Sequence, residues 1–226
     1  MIWQDEGYLL SKRKFRENAN IVNVFTNSFG KVSGIVYGGN SRKVRNYLQI
    51  SNKIFVFYNN KNENKIGYFK TELMQAISPK YFNDKTKTSA LLSLTSLLNS
   101  LLPEAQSYKN IYLSLDNFIN ELNNEKWIFS YIDWELKLIR ELGFDVNLSQ
   151  FKNNASEPNK ISEIEIDNIK YKVPGFIFKL STNYDVNNDL IKLALSFTRK
   201  IMLNKFFIQN NLIFPRSRVL LENYYN

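Results

Sequence analysis

Residues 1–50 decide the fold, and their sequence is MIWQDEGYLLSKRKFRENANIVNVFTNSFGKVSGIVYGGNSRKVRNYLQI. Three short runs in this stretch are rich in aliphatic and aromatic residues, and clusters of glycine, asparagine and serine separate them: residues 7–13, 21–26 and 31–37. Runs of this length, with turn residues about every ten positions, are typical of strands in an antiparallel sheet or a small barrel. We therefore predict three β-strands in this stretch.

Two further strands are predicted to follow. Residues 54–58 form an apolar run, and residues 65–74 form another, in which Ile66, Tyr68 and Leu73 are expected to point inward. Five short strands within about 75 residues predict an OB-type barrel. An SH3-like barrel fits the same pattern, so periodicity does not choose between the two. A basic loop is predicted between the third and fourth strands.

The hydrophobic period changes from 2 to about 3.6 after Pro79. Wide apolar stripes then predict three helices packed together in a bundle. These stripes lie at residues 90–102, 111–122 and 127–142. Gly143 is expected to follow the third helix in the left-handed conformation that often ends a helix.

A small β-hairpin is predicted within residues 161–174. Its two arms alternate in polarity and flank the Asp-Asn pair at residues 167–168, which favours a tight turn. The polar stretch at residues 151–158 is predicted to be a loop.

The chain is predicted to end in two helices. Asn187 or Asn188 is expected to cap a long one, and Pro215 to lie in the first turn of a short one. The fold class is therefore α+β. It combines a five-stranded OB-type barrel domain in residues 1–80 with a mainly α-helical domain, including the hairpin, in residues 81–226.

Positive charge is concentrated in the first of these domains. Residues 1–80 hold 13 Lys and Arg against 5 Asp and Glu, a net charge of +8, whereas residues 81–226 hold 17 against 16, a net charge of +1. A basic excess confined to one domain indicates a polyanionic partner, chiefly nucleic acid and less often an anionic membrane surface. The alternative is an ordinary solvated surface in a chain rich in lysine and asparagine.

The chain contains no cysteine and no histidine. This composition excludes disulfides, the usual zinc sites, thiol nucleophiles and imidazole acid–base catalysis. Only carboxylates remain to bind a hard cation, and the adjacent Asp5 and Glu6 would point to opposite faces of a strand. We therefore expect no metal, no cofactor and no enzyme active site.

Neither a signal peptide nor an apolar run of the ~20 residues that span a bilayer is found in the sequence. We expect a cytoplasmic protein. Two rival functions stay open. A metal-dependent nuclease would need clustered carboxylates in the basic domain, and a purely structural or interaction protein without DNA affinity would show binding that is insensitive to salt.

Short motifs occur in order along more than 200 residues of the chain. They are W-Q-D-E-G at 3–7, V-F-T at 24–26, S-F-G-K at 28–31, Y-G-G-N-S-R-K at 37–43, L-L-P-E at 101–104, W-E-L-K-L-I-R-E-L-G-F at 134–144, F-T-R at 197–199 and P-R-S-R at 215–218. In this order and spacing, the chain resembles bacterial RecO, a family of DNA-repair and recombination-mediator proteins.

The resemblance implies an N-terminal OB domain, a helical domain and no catalytic turnover. RecO proteins bind single- and double-stranded DNA, anneal complementary strands, and help to load RecA on DNA coated with single-stranded DNA-binding protein (SSB). They work at the nucleoid with RecR and in some cases RecF. Many members carry a four-cysteine zinc site, but the corresponding residues 151–173 hold no cysteine here. A nucleic-acid-binding OB protein without annealing activity is the nearest alternative.

Charge and resemblance together indicate seven basic residues for DNA contact, because long cationic side chains neutralise phosphates and release counterions. They are Lys12, Arg13, Lys14, Arg16, Arg42, Lys43 and Arg45. The turn after the first strand and the loop near Lys43 are expected to line one groove at the same end of the barrel. Four nearby aromatic residues are candidates for base stacking, with a place in the core as the alternative: Tyr8, Phe15, Tyr37 and Tyr47.

The resemblance also implies a site in the helical domain for the C-terminal tail of SSB. This acidic tail ends in an apolar side chain and a free carboxylate, so its site needs an apolar slot rimmed by cations. Leu203 or Leu220 is expected to contribute to the slot. The candidate cations are Arg140, Arg199, Lys200, Arg216 and Arg218. Ordinary solvated charges near helix ends are the alternative.

Overall fold

The computed structural model describes residues 1–62, 65–148, 157–180 and 184–226 of the chain. The chain forms two compact units. The first contains Met1–Tyr112 and Pro215–Arg218, and the second contains Leu113–Phe214 and Val219–Asn226.

A closed five-stranded β-barrel forms most of the first unit. Its strands are β1 (Ile2–Phe15), β2 (Ala19–Thr26), β3 (Gly30–Tyr37), β4 (Lys53–Asn59) and β5 (Gly67–Gln75). The order around the barrel is β1-β2-β3-β5-β4, and β4 closes onto β1. All neighbouring pairs are antiparallel except β3 and β5, which are parallel. This order is that of an OB fold, so the predicted OB-type barrel is confirmed over the SH3-like alternative.

Strand β1 pairs with its two neighbours over different parts of its length. Its first half pairs with β4 and its second half with β2, and the register with β2 shifts between Leu9 and Ser11. Leu10 is the extra residue at this shift, and a β-bulge of this kind bends a strand and increases its twist. The bend allows one strand to close the barrel between β2 and β4.

Alternate residues of the strands point inward and form one apolar core. Its buried members are Leu9, Val22, Val24, Val36, Leu48, Ile54, Val56, Tyr58 and Phe69. Burying an apolar side chain of this size contributes about 1.5–3 kcal/mol. The core therefore supplies the main force that holds the strands together.

The inward positions of β5 differ from the prediction. Ile66 is 41% exposed and Leu73 is 44% exposed, whereas Phe69 is buried in the core. Gly67 takes the other inward position, where an added Cβ would lie 2.5 Å from the ring of Tyr58. Because glycine has no side chain, the pattern of apolar residues could not reveal which positions of β5 face the core.

The predicted basic loop between β3 and β4 contains a short helix, α1 (Arg42–Tyr47). The hydroxyl of Ser41 accepts a hydrogen bond from the backbone N–H of Val44 and caps this helix. The helix was not predicted because six residues, fewer than two turns, are too short to show the repeated apolar stripe by which longer helices are recognised. Val44 and Tyr47 pack against the barrel core instead.

A helix α2 (Lys85–Leu101) follows the barrel in the first unit, and it confirms the first predicted stripe. Asp84 caps the helix, because its carboxylate accepts hydrogen bonds from the backbone N–H groups of Thr86 and Lys87 over 3.1 and 3.0 Å. The compact unit thus includes more than the barrel. The predicted domain division into residues 1–80 and 81–226 stays a prediction.

Three further predicted helices are confirmed, together with the short helix at the C-terminus. They are α3 (Lys109–Glu121), α4 (Trp127–Glu141), α5 (Asn188–Met202) and α6 (Arg216–Asn223). Gly143 follows α4 with φ +94°, as expected for the residue that ends a helix. Asn187 caps α5 by accepting a hydrogen bond from the N–H of Leu190 over 3.0 Å.

The predicted hairpin is confirmed in the second unit. It consists of β6 (Ile161–Ile166) and β7 (Ile169–Pro174), which pair in antiparallel register. Asp167 and Asn168 form the turn with φ values of 50° and 62°, which suit the two-residue hairpin turn.

The predicted loop at residues 151–158 lies, except for its last two residues, outside the described part of the chain. Among the residues that the structure describes, no helix is long and apolar enough to cross a membrane.

We predict that Asp84→Ala destabilises the protein by about 0.5–2 kcal/mol, because α2 loses its N-terminal cap. Burial opposes ionisation of Asp84, but hydrogen bonds from Lys87 and Thr86 outweigh it and lower the pKa of the carboxyl from its ordinary 3.8. The stabilisation of the fold by the ionised carboxylate of Asp84 is therefore fully present above pH about 4, and it is lost as pH falls through the lowered pKa. Urea unfolding at pH 7 and pH 3 measures both effects.

The control for this prediction is Asp84→Asn, which keeps a capping oxygen without the ionisable group. Its stability should stay close to that of the parent and vary less with pH. An alanine variant as stable as the parent at pH 7 would contradict the role of the cap.

Candidate nucleic-acid interface

The outer surface of four barrel strands carries a row of neighbouring side chains. Strand pairing places Arg13 beside Ile21, Ile21 beside Ile35, and Ile35 beside Tyr68. The next residues along β2 and β3 are valines of the core, so strand alternation turns this row outward.

A second row lies next to the first. Pairing places Phe15 beside Ala19, and Ala19 beside Tyr37, which is 60% exposed. The ring centroids of Tyr37 and Tyr68 are 6.5 Å apart in an edge-on arrangement. The guanidinium carbon of Arg16 lies 5.2 Å from the ring centroid of Phe15. The two rows form a surface that we call the aromatic face: Arg13, Phe15, Ile21, Tyr37 and Tyr68. Ile35, which completes the first row, is buried.

Residues 99–105 of the same unit cover another part of the outer β2–β3 surface. The side-chain amide of Asn23 donates to the side-chain oxygen of Asn99 over 2.7 Å. The hydroxyl of Ser33 donates to the carboxylate of Glu104 over 2.5 Å. Strands β2 and β3 form the usual ligand surface of an OB fold. The aromatic face is therefore the part of that surface that this segment leaves open.

Lys31 joins the same covered region. Its ammonium donates to the backbone carbonyl of Asn99 over 2.8 Å, and its backbone carbonyl accepts from the N–H of Ala105 over 2.8 Å. Burial lowers the pKa of Lys31, although the nearby carboxylate of Glu104 opposes the shift. This cation therefore serves the packing of residues 99–105 on the barrel.

Strand alternation sends Lys12 and Lys14 to the opposite side of β1 from Arg13. The ammonium of Lys12 donates to the backbone carbonyl of Leu48, just beyond α1, over 2.7 Å. Burial lowers the pKa of Lys12, and the nearby guanidinium of Arg45 lowers it further. Lys12 therefore lies beside α1 rather than on the aromatic face.

Two hydrogen bonds join the β1–β2 turn to the loop before α1. The N–H of Gly38 donates to the carbonyl of Asn18 over 2.8 Å, and the side-chain amide of Asn40 donates to the carbonyl of Glu17 over 2.7 Å. The basic residues of α1 are exposed: Arg42, Lys43 and Arg45. The seven basic residues therefore surround one end of the barrel, some on the aromatic face and others beside α1.

None of these seven side chains forms an ion pair with a carboxylate of the described residues. Six of them are also exposed: Arg13, Lys14, Arg16, Arg42, Lys43 and Arg45. Their positive charge is thus not neutralised within the described chain and is available to an external anion.

The four aromatic candidates fall into two groups. Tyr8 is buried beside Tyr112, and the hydroxyl of Tyr47 donates to the backbone carbonyl of Thr71 over 2.7 Å. Both belong to the packing of the first unit. Phe15 and Tyr37 lie on the aromatic face. Tyr68 was missed as a site residue because it was predicted to point inward.

The five cations predicted for the SSB tail differ in exposure and pairing. Arg199 makes a two-bond ion pair with Glu222, with nitrogen–oxygen distances of 2.9 and 3.2 Å. Arg218 is fully buried, so its guanidinium is not available to an external peptide. Lys200, Arg216 and Arg140 are exposed. The sequence did not show the pairing of Arg199 or the burial of Arg218, and the five-residue site stays a prediction.

Arg140 borders a cleft of about 470 Å³ within the second unit. The cleft is lined by both cationic and apolar side chains, among them Leu136, Lys137, Arg140, Val146, Phe178 and Lys179. Asp133 and Asp145 also reach it, and Asp133 is paired with Lys137 over 2.5 Å. The cleft therefore offers apolar surface together with two cations, Arg140 and Lys179, at its border.

The acidic side chains of the described residues form no group of three or more that could hold a metal ion. Asp5 accepts a hydrogen bond from the N–H of Ser28 over 2.7 Å, and Glu6 pairs with Lys53 over 2.9 Å.

Two family models match the chain. The N-terminal model of recombination protein O matches residues 1–77, and the C-terminal model of the same protein matches residues 83–157. The chain belongs to the RecO family. RecO is a family of recombination mediators in DNA repair and is not known as a family of catalytic enzymes.

Curated RecO relatives are similar over most of the chain. DNA repair protein RecO of Wolbachia sp. subsp. Drosophila simulans is 28% identical over 98% of this chain and 99% of its own length. The proteins of the same name from Roseobacter denitrificans and Ehrlichia chaffeensis are each 32% identical. Those matches cover 66% and 70% of this chain, and 62% and 65% of the relatives. Two of the three matches therefore span less than two thirds of the relative.

Among solved structures, an asparaginyl-tRNA synthetase from Entamoeba histolytica is 10% identical, with a TM-score of 0.30, over 95% of this chain and 59% of that one. A TM-score this low gives no information about the fold.

We predict that this RecO chain folds without zinc, since it has no thiolate or imidazole to bind the ion. Elemental analysis of the purified protein should find no stoichiometric zinc, and a chelator should leave the melting temperature unchanged. Bound zinc at one equivalent, or a melting temperature that falls with chelator, would contradict the prediction.

Proposed function

We propose that this RecO protein binds single- and double-stranded DNA at the end of the barrel where its basic residues gather. The observation that carries the proposal is the position of two basic clusters around one end of the OB barrel. The hydrogen bond from Lys12 to Leu48 holds β1 beside α1, and the β1–β2 turn is bonded to the loop before α1. Cations from separate parts of the sequence thereby form one positive surface.

Electrostatics explains why such a surface suits DNA. Each phosphate that a lysine or arginine neutralises releases condensed counterions, and the affinity gained in this way does not depend on base sequence. The proposed contacts are Arg13, Lys14, Arg16, Arg42, Lys43 and Arg45, with Lys12 placing β1 beside α1. Because the six contact residues are exposed, they reach phosphates without a change in the fold.

Membership of the RecO family supports the remaining parts of the proposal. The protein anneals complementary strands and, together with RecR in a RecF-type pathway, helps to load RecA on SSB-coated DNA at the nucleoid. It does so without catalytic turnover.

We predict that binding to single strands weakens with salt, with a slope of log K against log salt of roughly −3 to −4, as for ~4–6 neutralised phosphates. Replacing Arg42, Lys43 and Arg45 by alanine should flatten the slope, because fewer counterions are released. Fluorescence anisotropy with labelled single- and double-stranded oligonucleotides over a salt series measures both quantities.

The matched control removes three exposed lysines at the hairpin of the second unit: Lys160, Lys170 and Lys172. Both triple variants lose the same formal charge, so a difference between them reports position rather than total charge. A slope near zero in the parent protein would refute DNA binding. Equal salt slopes for the two triple variants would show that the DNA site does not include α1.

For the SSB tail we propose the cleft beside Arg140. Its apolar residues suit the terminal side chain of the tail, while Arg140 and Lys179 provide donors for the carboxylates. Arg199 and Arg218 are occupied or buried, which favours this cleft over the α5–α6 region. We expect affinity in the micromolar range, about −7 to −8 kcal/mol.

We predict that Arg140→Ala weakens binding of a labelled tail peptide by about 10- to 100-fold, the effect of losing a charge-assisted hydrogen bond. Anisotropy titration measures it. Lys200→Ala removes an exposed cation outside the cleft lining and serves as the control. If Lys200→Ala weakens binding and Arg140→Ala does not, the tail binds elsewhere.

A further inference from the structure

We infer that the aromatic face of the barrel binds unpaired nucleobases, which stack on Tyr37, Tyr68 and Phe15, and that residues 99–105 limit this site to a short stretch of a single strand. The inference deepens the proposed DNA binding and rests on it. It adds a second kind of contact, to bases rather than phosphates, at the edge of the basic surface.

The positions of the two tyrosines follow from the pairing of β3 with β5. These strands pair at only two positions, Gly34 with Gly67 and Ile35 with Tyr68. A Cβ added at Gly34 would lie 2.4 Å from the ring of Phe69, so the close approach of the strands needs glycine there. This approach brings Tyr68 beside the end of β3, where Tyr37 projects from the barrel.

The ring of Tyr37 is open to a ligand. The side chain is 60% exposed, and the edge-on contact with Tyr68 leaves ring surface that a flat base can cover. Its backbone is fixed, since it pairs with Ala19 and is followed by Gly38, whose φ is +69° and whose N–H is bonded to the β1–β2 turn. An exposed ring on a fixed backbone suits stacking because less conformational freedom is lost on binding.

Charge complementarity identifies the ligand as a nucleic acid strand. Arg13 lies in the same outward row as Tyr68, and the guanidinium of Arg16 lies near the ring of Phe15. A single strand presents both groups that this surface can bind, bases for the rings and phosphates for the cations. A duplex keeps its bases stacked inside, so it reaches the cations but not the rings.

The covered part of the β2–β3 surface sets the limit of the site. There the carboxylate of Glu104 is held by Ser33, and the ammonium of Lys31 is turned onto the carbonyl of Asn99. The segment thus places an anion beside Ser33, the next outward position of β3 after Ile35, and Lys31 is bonded to a carbonyl instead of being free for a phosphate. A phosphodiester chain is repelled there, so a strand crosses the aromatic face instead of following β2 and β3 along their length.

The test replaces Tyr37 and Tyr68 separately by leucine and by phenylalanine. Leucine keeps an apolar side chain but removes the ring, whereas phenylalanine keeps the ring. For a thymidine oligonucleotide, each leucine variant should bind about fivefold to 100-fold more weakly, with an unchanged salt slope. The phenylalanine variants should match the parent, and binding to a duplex of equal length should change less than about twofold.

Glu104→Gln tests the limit of the site. Glutamine keeps an acceptor for Ser33 but removes the negative charge, so a long thymidine oligonucleotide should bind more tightly than to the parent and with a steeper salt slope. A short oligonucleotide that fits the aromatic face should gain less. Equal affinities for parent and variant at both lengths would overturn the limit.

Thermal unfolding checks that each variant is folded before binding is compared. If the folded leucine variants bind the single strand as the parent does, or lose duplex and single-strand affinity equally, base stacking is refuted while DNA binding stands. If the parent itself shows no salt-dependent binding, the proposed function fails instead. The two failures are therefore distinguishable.

Discussion

The parallel pairing of β3 with β5 is the contact on which the rest of the first unit depends. It joins only two residue pairs, yet it closes the sheet into a barrel and encloses the apolar core. Gly34 and Gly67 make it possible, because a side chain on either would strike an aromatic ring of the core. Closure of the barrel also determines which residues face outward. The aromatic face therefore depends on Gly34 and Gly67, because these glycines let β3 and β5 approach each other.

Alternation along β1 gives the basic run Lys12–Arg16 two separate uses. Arg13 points to the aromatic face, whereas Lys12 points to α1 and hydrogen-bonds the carbonyl of Leu48. A desolvated ammonium bonded to a backbone carbonyl is better suited to positioning than to binding phosphate. The charge of the run thus overstates the number of its phosphate contacts, and one of its members holds the others in place.

The strands, the long helices and the hairpin could be predicted from sequence because each has a local periodic or turn signal. Such signals did not reveal which residues of β5 point inward, since the inward Gly67 contributes nothing to an apolar pattern. They also did not reveal α1, which has fewer than two turns. The cluster for the SSB tail depended on burial and pairing, which arise from distant parts of the chain. The pairing of Arg199 with Glu222 crosses from α5 to α6 and leaves no local signature.

The covered half of the β2–β3 surface bears on how annealing would work. A protein that held many bases on aromatic rings would keep them from a complementary strand. Here residues 99–105 occupy part of the usual OB ligand surface through Asn99 and Glu104. Few bases of a bound strand could therefore stack on an aromatic side chain. In the proposed binding mode, exposed cations such as Arg42 and Lys43 would hold most of a bound strand through its phosphates, with its bases turned toward solvent. A small stacking site beside a larger basic surface is thus compatible with annealing, whereas a long aromatic groove would oppose it.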